Sequence, residues 1–285
     1  QTNEFNPIRV AAYNSIRKLS SQNVNQFLIQ NHITDNYPKE LSSLIQDQIQ
    51  EFASIMSQYL KTPLKVDLVL VTEKDKDFIN NILPTIIDKS YYGDNLAILD
   101  SYINPNGFYS RSGTGGGTAQ YRETEGSGYF LGNTASYADI TTFWPEIAPH
   151  EMFHVMQFYL ARGYHNSGDE GSENAKFERH LVEGSANLVG MSVAFPNLGW
   201  YSDEMDHLLQ RTIQSYRNWM PMNSENDVVN FFKAVETGNS DPSSEFAYSA
   251  GQVLWEYFVG TYGFQKLIDL WSNLSKTNNF DDNLK

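Results

Sequence analysis

From about residue 145 to the C-terminus, helical periodicity dominates the sequence. Apolar residues recur at three- and four-residue spacing over 149–162, 177–191, 201–219, 242–259 and 263–274. Asp241 can cap the fourth of these with Pro242 at its first helical position, and Gly163 and Gly260 stand where helices are expected to stop. The first half reads differently. Ile8–Leu19 and Lys39–Leu60 have amphipathic helical patterns, and Pro63 ends the second. Leu64–Val71 opens in alternation and closes fully apolar, which predicts a strand of a half-covered sheet. Asn95–Leu99 is a second strand candidate. Residues 104–128 have loop composition, and Gly128–Gly132 reads as a short edge strand. The expected fold is α+β: a small mixed sheet with N-terminal helices, followed by a mostly helical C-terminal half.

Length and charge narrow the function classes. The chain has 285 residues, enough for one large domain or two small ones. Two arrangements suit it. One is an α+β half over 1–145 with a Gly-rich rim loop, joined across a cleft to a helical half over 146–285. The other is one compact catalytic domain. The net charge of -14 repels phosphate backbones, so no nucleic-acid partner is expected. There is no cysteine, which removes disulfides, thiolate ligands and thiol nucleophiles together. No apolar run approaches the roughly 18–20 residues of a membrane span. The start, Gln1-Thr2-Asn3-Glu4, has neither a basic n-region nor an apolar h-region, and it lacks Met. It reads as trimmed, by a signal peptidase or by choice of boundaries. A secreted or exported protein, extracellular or periplasmic and without its signal peptide, is the expectation.

His150-Glu151-Met152-Phe153-His154 is an HExxH segment. Residues four apart on a helix are separated by about 40° around the axis and about 6 Å along it. Two imidazoles at that spacing converge on one ion. Glu151, turned about 100° from His150, is set beside the ion within reach of a water. Zinc acidifies such a water towards a pKa of about 7, and the glutamate is the base that takes its proton during attack on a carbonyl. The surrounding pattern supports a helix. Met152, Val155, Met156 and Tyr159 form one apolar stripe, and His150, His154, Gln157 and Ala161 lie opposite.

A catalytic zinc takes three protein ligands and leaves the fourth position open. The extended HExxHxxGxxH pattern fails, because Gln157 and Leu160 stand where Gly and His are required. The candidates are His165, Glu173, Glu178, His180 and Glu183. His165 and Glu173 lie in a polar loop. Glu183 follows His154 by 29 residues, on the next expected helix and among Leu181, Val182, Leu188 and Val189. The small run Gly184-Ser185-Ala186 is expected to let that helix approach the HExxH helix closely. Asn187, one turn on, can orient a ligating imidazole by a hydrogen bond.

HExxH with a glutamate on the next helix resembles the gluzincin zinc metallopeptidases, of which thermolysin is the best known. The phrase Val182-Glu183-Gly184-Ser185-Ala186 is similar to the Glu-Gly-x-Ala phrase of bacterial-collagenase-type peptidases. Tyr248–Phe258 with Tyr262-Gly263 resembles the helix that follows in them. The resemblance covers about residues 128–275. It implies His150, His154 and Glu183 as ligands of Zn2+, Glu151 as general base and acid, and a peptide or protein substrate. Four positions after the ligand glutamate, where thermolysin has an aspartate, this chain has Asn187. Gluzincins commonly supply a downstream Tyr or His to the oxyanion. Tyr248 is the candidate, because its helix is expected to pack near that of Glu183; His207 is the alternative. The expected activity is peptide-bond hydrolysis, with an endopeptidase favoured. The competing reading is a domain of the same fold that retains zinc, binds partners or a surface, and does not turn over.

Two other segments have compositions that bear on function. Gly113 and Gly115-Gly116-Gly117 lack the Lys-Ser/Thr ending of a phosphate loop. They suit either a rim over the cleft, leading to a strand that adds an extended peptide, or a plain surface loop. Asp169, Glu170 and Glu173 lack a spaced calcium motif and read as a solvated loop.

Overall fold

The computed structural model describes residues 5–18, 26–72, 74–86, 116–122, 126–133, 146–162, 180–219, 224–227, 229–230 and 241–277. The fold is α+β, with a small mixed sheet and a mostly helical second half. The chain divides into two compact units, one of residues 19–159 and one joining residues 1–18 to residues 160–285.

Among the described residues, the unit 19–159 is built on a sheet of four strands. They are β1 (Phe27–Ile33), β2 (Leu64–Val71), β3 (Gly116–Arg122) and β4 (Ser127–Asn133), in the order β1-β2-β4-β3. β2 pairs parallel with β1 and with β4, and β3 pairs antiparallel with β4. Parallel neighbours need a long crossover, and the helix Lys39–Met56 supplies it between β1 and β2. Its buried residues Leu41, Ile45, Ile49, Phe52 and Met56 recur every three or four positions, giving one apolar face. Phe52 meets Phe27 of β1 edge to face at 5.6 Å. A short 3₁₀ turn, Ser57–Tyr59, ends the crossover before Pro63.

β2 runs over the residues that the alternation predicts. As a central strand it buries Leu68, Val69, Leu70 and Val71 consecutively. β4 corrects the expectation of an edge strand, because it lies between β2 and β3. Among the described residues β3 holds that edge, and it forms inside the stretch expected to be loop. The first helix spans Pro7–Ile16 and the second Lys39–Met56, each shorter at its C-terminal end than the pattern suggests. The strand expected at Asn95–Leu99 lies outside the described residues, as do the acidic loop and His165, Glu173 and Glu178.

One carboxylate ties the ends of β1 and β2 together. Asp75 accepts hydrogen bonds from Thr34 Oγ1 at 2.7 Å, Asn36 Nδ2 at 2.6 Å, and both the backbone N–H and Oγ1 of Thr72 at 2.8 Å. Burial by itself raises the pKa of this carboxyl, but the four donors outweigh it and hold it below the ordinary value. Hydrogen bonds to a charged group contribute about 1.5–3 kcal/mol, so Asp75→Ala is expected to lower unfolding stability by about 2–3 kcal/mol at neutral pH. A depressed folded-state pKa contributes stability that is full above the unfolded-state value and lost as pH falls through the folded one. Urea titrations at neutral and acidic pH should therefore show the gap between wild type and variant closing on acidification. A gap that stays constant would remove the carboxylate's charge from the explanation.

In the other unit the first helix packs among the C-terminal ones. Asn6 caps it, its Oδ1 accepting from Ile8 N at 2.9 Å, and Pro7 occupies the first turn. Two long helices, Leu198–Trp219 and Asp241–Tyr262, the shorter Phe264–Thr277 and the segment 180–194 belong to the same unit. Arg9 links three helices. Its Nε donates to Glu256 at 3.1 Å, and its Nη1 donates to Asp206 at 2.7 Å and to the carbonyl of Ser202 at 3.1 Å. Gly260 does not end a helix, as expected from sequence, but lies inside Asp241–Tyr262. There a Cβ would fall 2.3 Å from the carbonyl oxygen of Ile8. Gly263, at φ +88°, is the residue that ends the helix. Among the described residues no helix is long and apolar enough to cross a membrane.

Candidate metal centre

The HExxH segment sits within the helix Ile147–Leu160. Pro149 is tolerated there because the first-turn N–H groups have no partner within the helix. The apolar stripe is fully packed: Met152, Val155 and Met156 are buried and Tyr159 nearly so. Tyr159 Oη lies 2.9 Å from Thr62 Oγ1, tying the helix's last turn to the residues before β2. The opposite face is also enclosed. His150 and His154 are 6% and 8% exposed, and Gln157 is fully buried. Glu151 is half-buried.

The two imidazoles face each other. Their Nε2 atoms are 3.0 Å apart, and the rings stand nearly perpendicular. His154 Nδ1 lies 2.8 Å from Gln157 Oε1. An amide oxygen only accepts, so Nδ1 carries the proton and Nε2 turns its lone pair toward His150. That tautomer is the one a metal ligand needs, and the bond to Gln157 also fixes the ring's orientation. Gln157 was legible only as a polar residue on the histidine face, three positions after His154. The pattern that would have promoted it, an amide within reach of a ligand's second nitrogen, emerges only from helix geometry. For His154 it takes the part that spacing suggested for Asn187, which is buried one turn beyond Glu183.

Glu183 lies on a different kind of turn from the one expected. Residues His180–Gly184 form a π-helical turn that leads into the α-helix Ser185–Ala194. Such widened turns carry one more residue per turn and re-aim the side chains they hold. Gly184 abuts the Asp241–Tyr262 helix. A Cβ on Gly184 would fall 2.4 Å from the carbonyl carbon of Gly251, and one on Gly251 would fall 2.8 Å from the carbonyl oxygen of His180. The expectation that Tyr248's helix packs near Glu183's segment is met at this crossing. Tyr248 is half-buried and shares a helix face with Gly251, Gln252 and Trp255. His180 is stacked on Trp255, with centroids 6.3 Å apart and an interplanar angle of 10°. Burial pushes its pKa down to about 4, so it stays neutral. His207, the other oxyanion candidate, is exposed and lies 3.7 Å from Glu204.

One ligand atom from each of His150, His154 and Glu183 lies within 4.8 Å of the other two. Among the described residues no other group of three or more His, Asp or Glu side chains does so. Tetrahedral zinc with nitrogen bonds of 2.0–2.1 Å sets its ligand atoms about 3.3 Å apart, close to the separation of the two imidazole nitrogens. Two neutral imidazoles and one carboxylate are borderline and hard donors that suit zinc and leave one position for water. The donor set therefore fits the ion that the motif implies. No protein-family model, curated protein or solved structure matches this chain.

Gln157→Leu tests the orienting bond. It keeps the side-chain volume close and removes the acceptor, so zinc affinity measured against a competing chelator is expected to fall about 10–100-fold. An unchanged affinity would mean that packing alone orients His154.

Proposed function

We propose that the chain is a zinc-dependent peptidase of gluzincin type that cleaves internal peptide bonds. The observation that carries this reading is the convergence of His150, His154 and Glu183 on one point, with Glu151 adjacent to His150 on the same helix. A zinc ion held by these three side chains supplies Lewis-acid polarisation of a carbonyl and acidification of a water. Glu151 accepts the proton of the attacking water and delivers it to the departing amine. Being half-buried, it retains access to a reacting group while the ligands are shielded. Gln157 holds His154 in the tautomer that leaves Nε2 free of a proton. Tyr248, on the helix face turned to the Glu183 turn, is the proposed hydrogen-bond donor to the oxyanion that develops on the substrate carbonyl. Asn187 is the further polar group proposed to support the ligand set.

Burial of all three ligand side chains also suits a closed metal site in a domain that binds without turnover. Incubating the zinc-loaded chain with a denatured protein and an unbiased peptide library separates the readings. The peptidase yields cleavage products that vanish with a chelator and return with zinc. Stoichiometric zinc with no product from either substrate supports the binding domain.

A further inference from the structure

We infer that Trp255 is a positioning residue for the metal centre, acting through the backbone of the turn that carries Glu183. This rests on the metal-site reading above. The π-helical turn His180–Gly184 is held from one side by a single face of the Asp241–Tyr262 helix. Three contacts do this. The indole Nε1 of Trp255 donates to the carbonyl oxygen of His180 at 2.9 Å. The Trp255 ring stacks on the His180 ring. One turn earlier, the backbones at Gly251 and Gly184 touch with no room for a Cβ on either.

A π turn holds its shape only when its surroundings favour it over the ordinary α-helix. Relaxing this turn to α geometry changes the angular position of Glu183 by a large part of a residue step, about 100° in full. A carboxylate moved by that much no longer points where it did. The bond from Trp255 engages the first carbonyl of the turn, and Gly251 fits against its last residue. Together they fix the turn at both ends, with Glu183 between. Trp255 is itself buried, at 3% exposed, so its indole N–H has no water to turn to and its bond to the turn is retained.

The test uses the full chain and zinc alone as the probe. Trp255→Phe keeps an aromatic ring against His180 and removes the N–H together with the five-membered part of the indole, so the metal-free melting temperature is the control for lost packing. Zinc affinity, read by chelator competition, is expected to fall about 10–100-fold. The rise in melting temperature on adding zinc is expected to shrink more than the melting temperature of the metal-free protein falls. A purely structural tryptophan gives the opposite pattern: both melting temperatures drop together and affinity is unchanged, which overturns the inference. Should Trp255→Phe not fold, Gly251→Ala perturbs the same turn from the backbone side and is read in the same way. Wild-type protein that takes up no zinc defeats the metal-site reading itself. Wild-type uptake with an unaltered variant defeats only the role of Trp255.

Discussion

Glu151→Gln is expected to leave zinc binding intact and to slow peptide hydrolysis by about 10²–10⁴-fold, the usual contribution of a positioned general base. A loss of 10³ corresponds to about 4 kcal/mol of transition-state stabilisation. The amide has nearly the shape of the carboxylate, so packing around the half-buried side chain is preserved. What is lost is the ability to take a proton from water and return it to the amine. Glu151 is not among the three candidate ligands, so metal content should not follow activity downward. The rate is read as kcat on a denatured protein, with zinc measured on the same sample. A variant that keeps full activity refutes the role, and one that loses zinc along with activity assigns Glu151 to the ligand shell instead.

The largest expected effect on stability lies far from the candidate metal centre in sequence, at Arg9. Its side chain is 8% exposed, as is that of Glu256, whereas Asp206 is 64% exposed. The exposed partner is screened and contributes little, about 0–1 kcal/mol. The buried partner decides the outcome. Burial already raises the pKa of Glu256, and Arg9 and the hydroxyl of Tyr201, 3.0 Å away, counter that rise. Arg9→Met leaves a carboxyl that must remain charged without its cation or take up a proton, and breaking a buried pair in this way costs about 3–5 kcal/mol. Asp206→Asn should cost less than about 1 kcal/mol. The double variant Arg9→Met with Glu256→Leu should recover much of the loss, because no uncompensated charge remains. The pH dependence follows from the raised carboxyl. Stability from a group with a raised folded-state pKa is present at low pH and lost as pH rises through that pKa. The deficit of Arg9→Met against wild type should thus be smaller in mildly acidic buffer than at neutral pH. Denaturant midpoints of the four proteins decide it, and equal losses for Arg9→Met and Asp206→Asn would contradict the assignment to Glu256.

How much of this was legible in the sequence varied with the kind of signal. β2 is a short apolar run closed off at its start by Pro63, and the HExxH helix carries its own motif, so their positions follow from the residues. β1 contains Gln30, Asn31 and His32 and is exposed over much of its length, as an edge strand can be, so no apolar alternation announces it. β3 begins at Gly116-Gly117, residues that weaken a strand, and forms by pairing with β4, which local composition does not encode. The first helix joins the C-terminal ones through Arg9, Tyr13 and Arg17, whose partners are some 175 or more residues away. At the candidate metal centre the histidine pair and Glu183, whose ligand atoms lie together in the structure, stand out in the sequence by spacing and by apolar neighbours. Gln157 and the π geometry of His180–Gly184 do not: the first is an i,i+3 contact on one helix that the motif does not call for, and the second depends on tertiary contacts. Gly184 was legible as a close-approach glycine, but its partner, Gly251, was not.

Elemental analysis of the zinc-loaded and dialysed protein is the most direct measurement. One zinc per chain is expected in the wild type and in Glu151→Gln, with zinc lost from His154→Ala and from Glu183→Ala while both remain folded. A wild type that retains no zinc, or a Glu183→Ala protein that holds it as tightly as the wild type, contradicts the three-ligand centre.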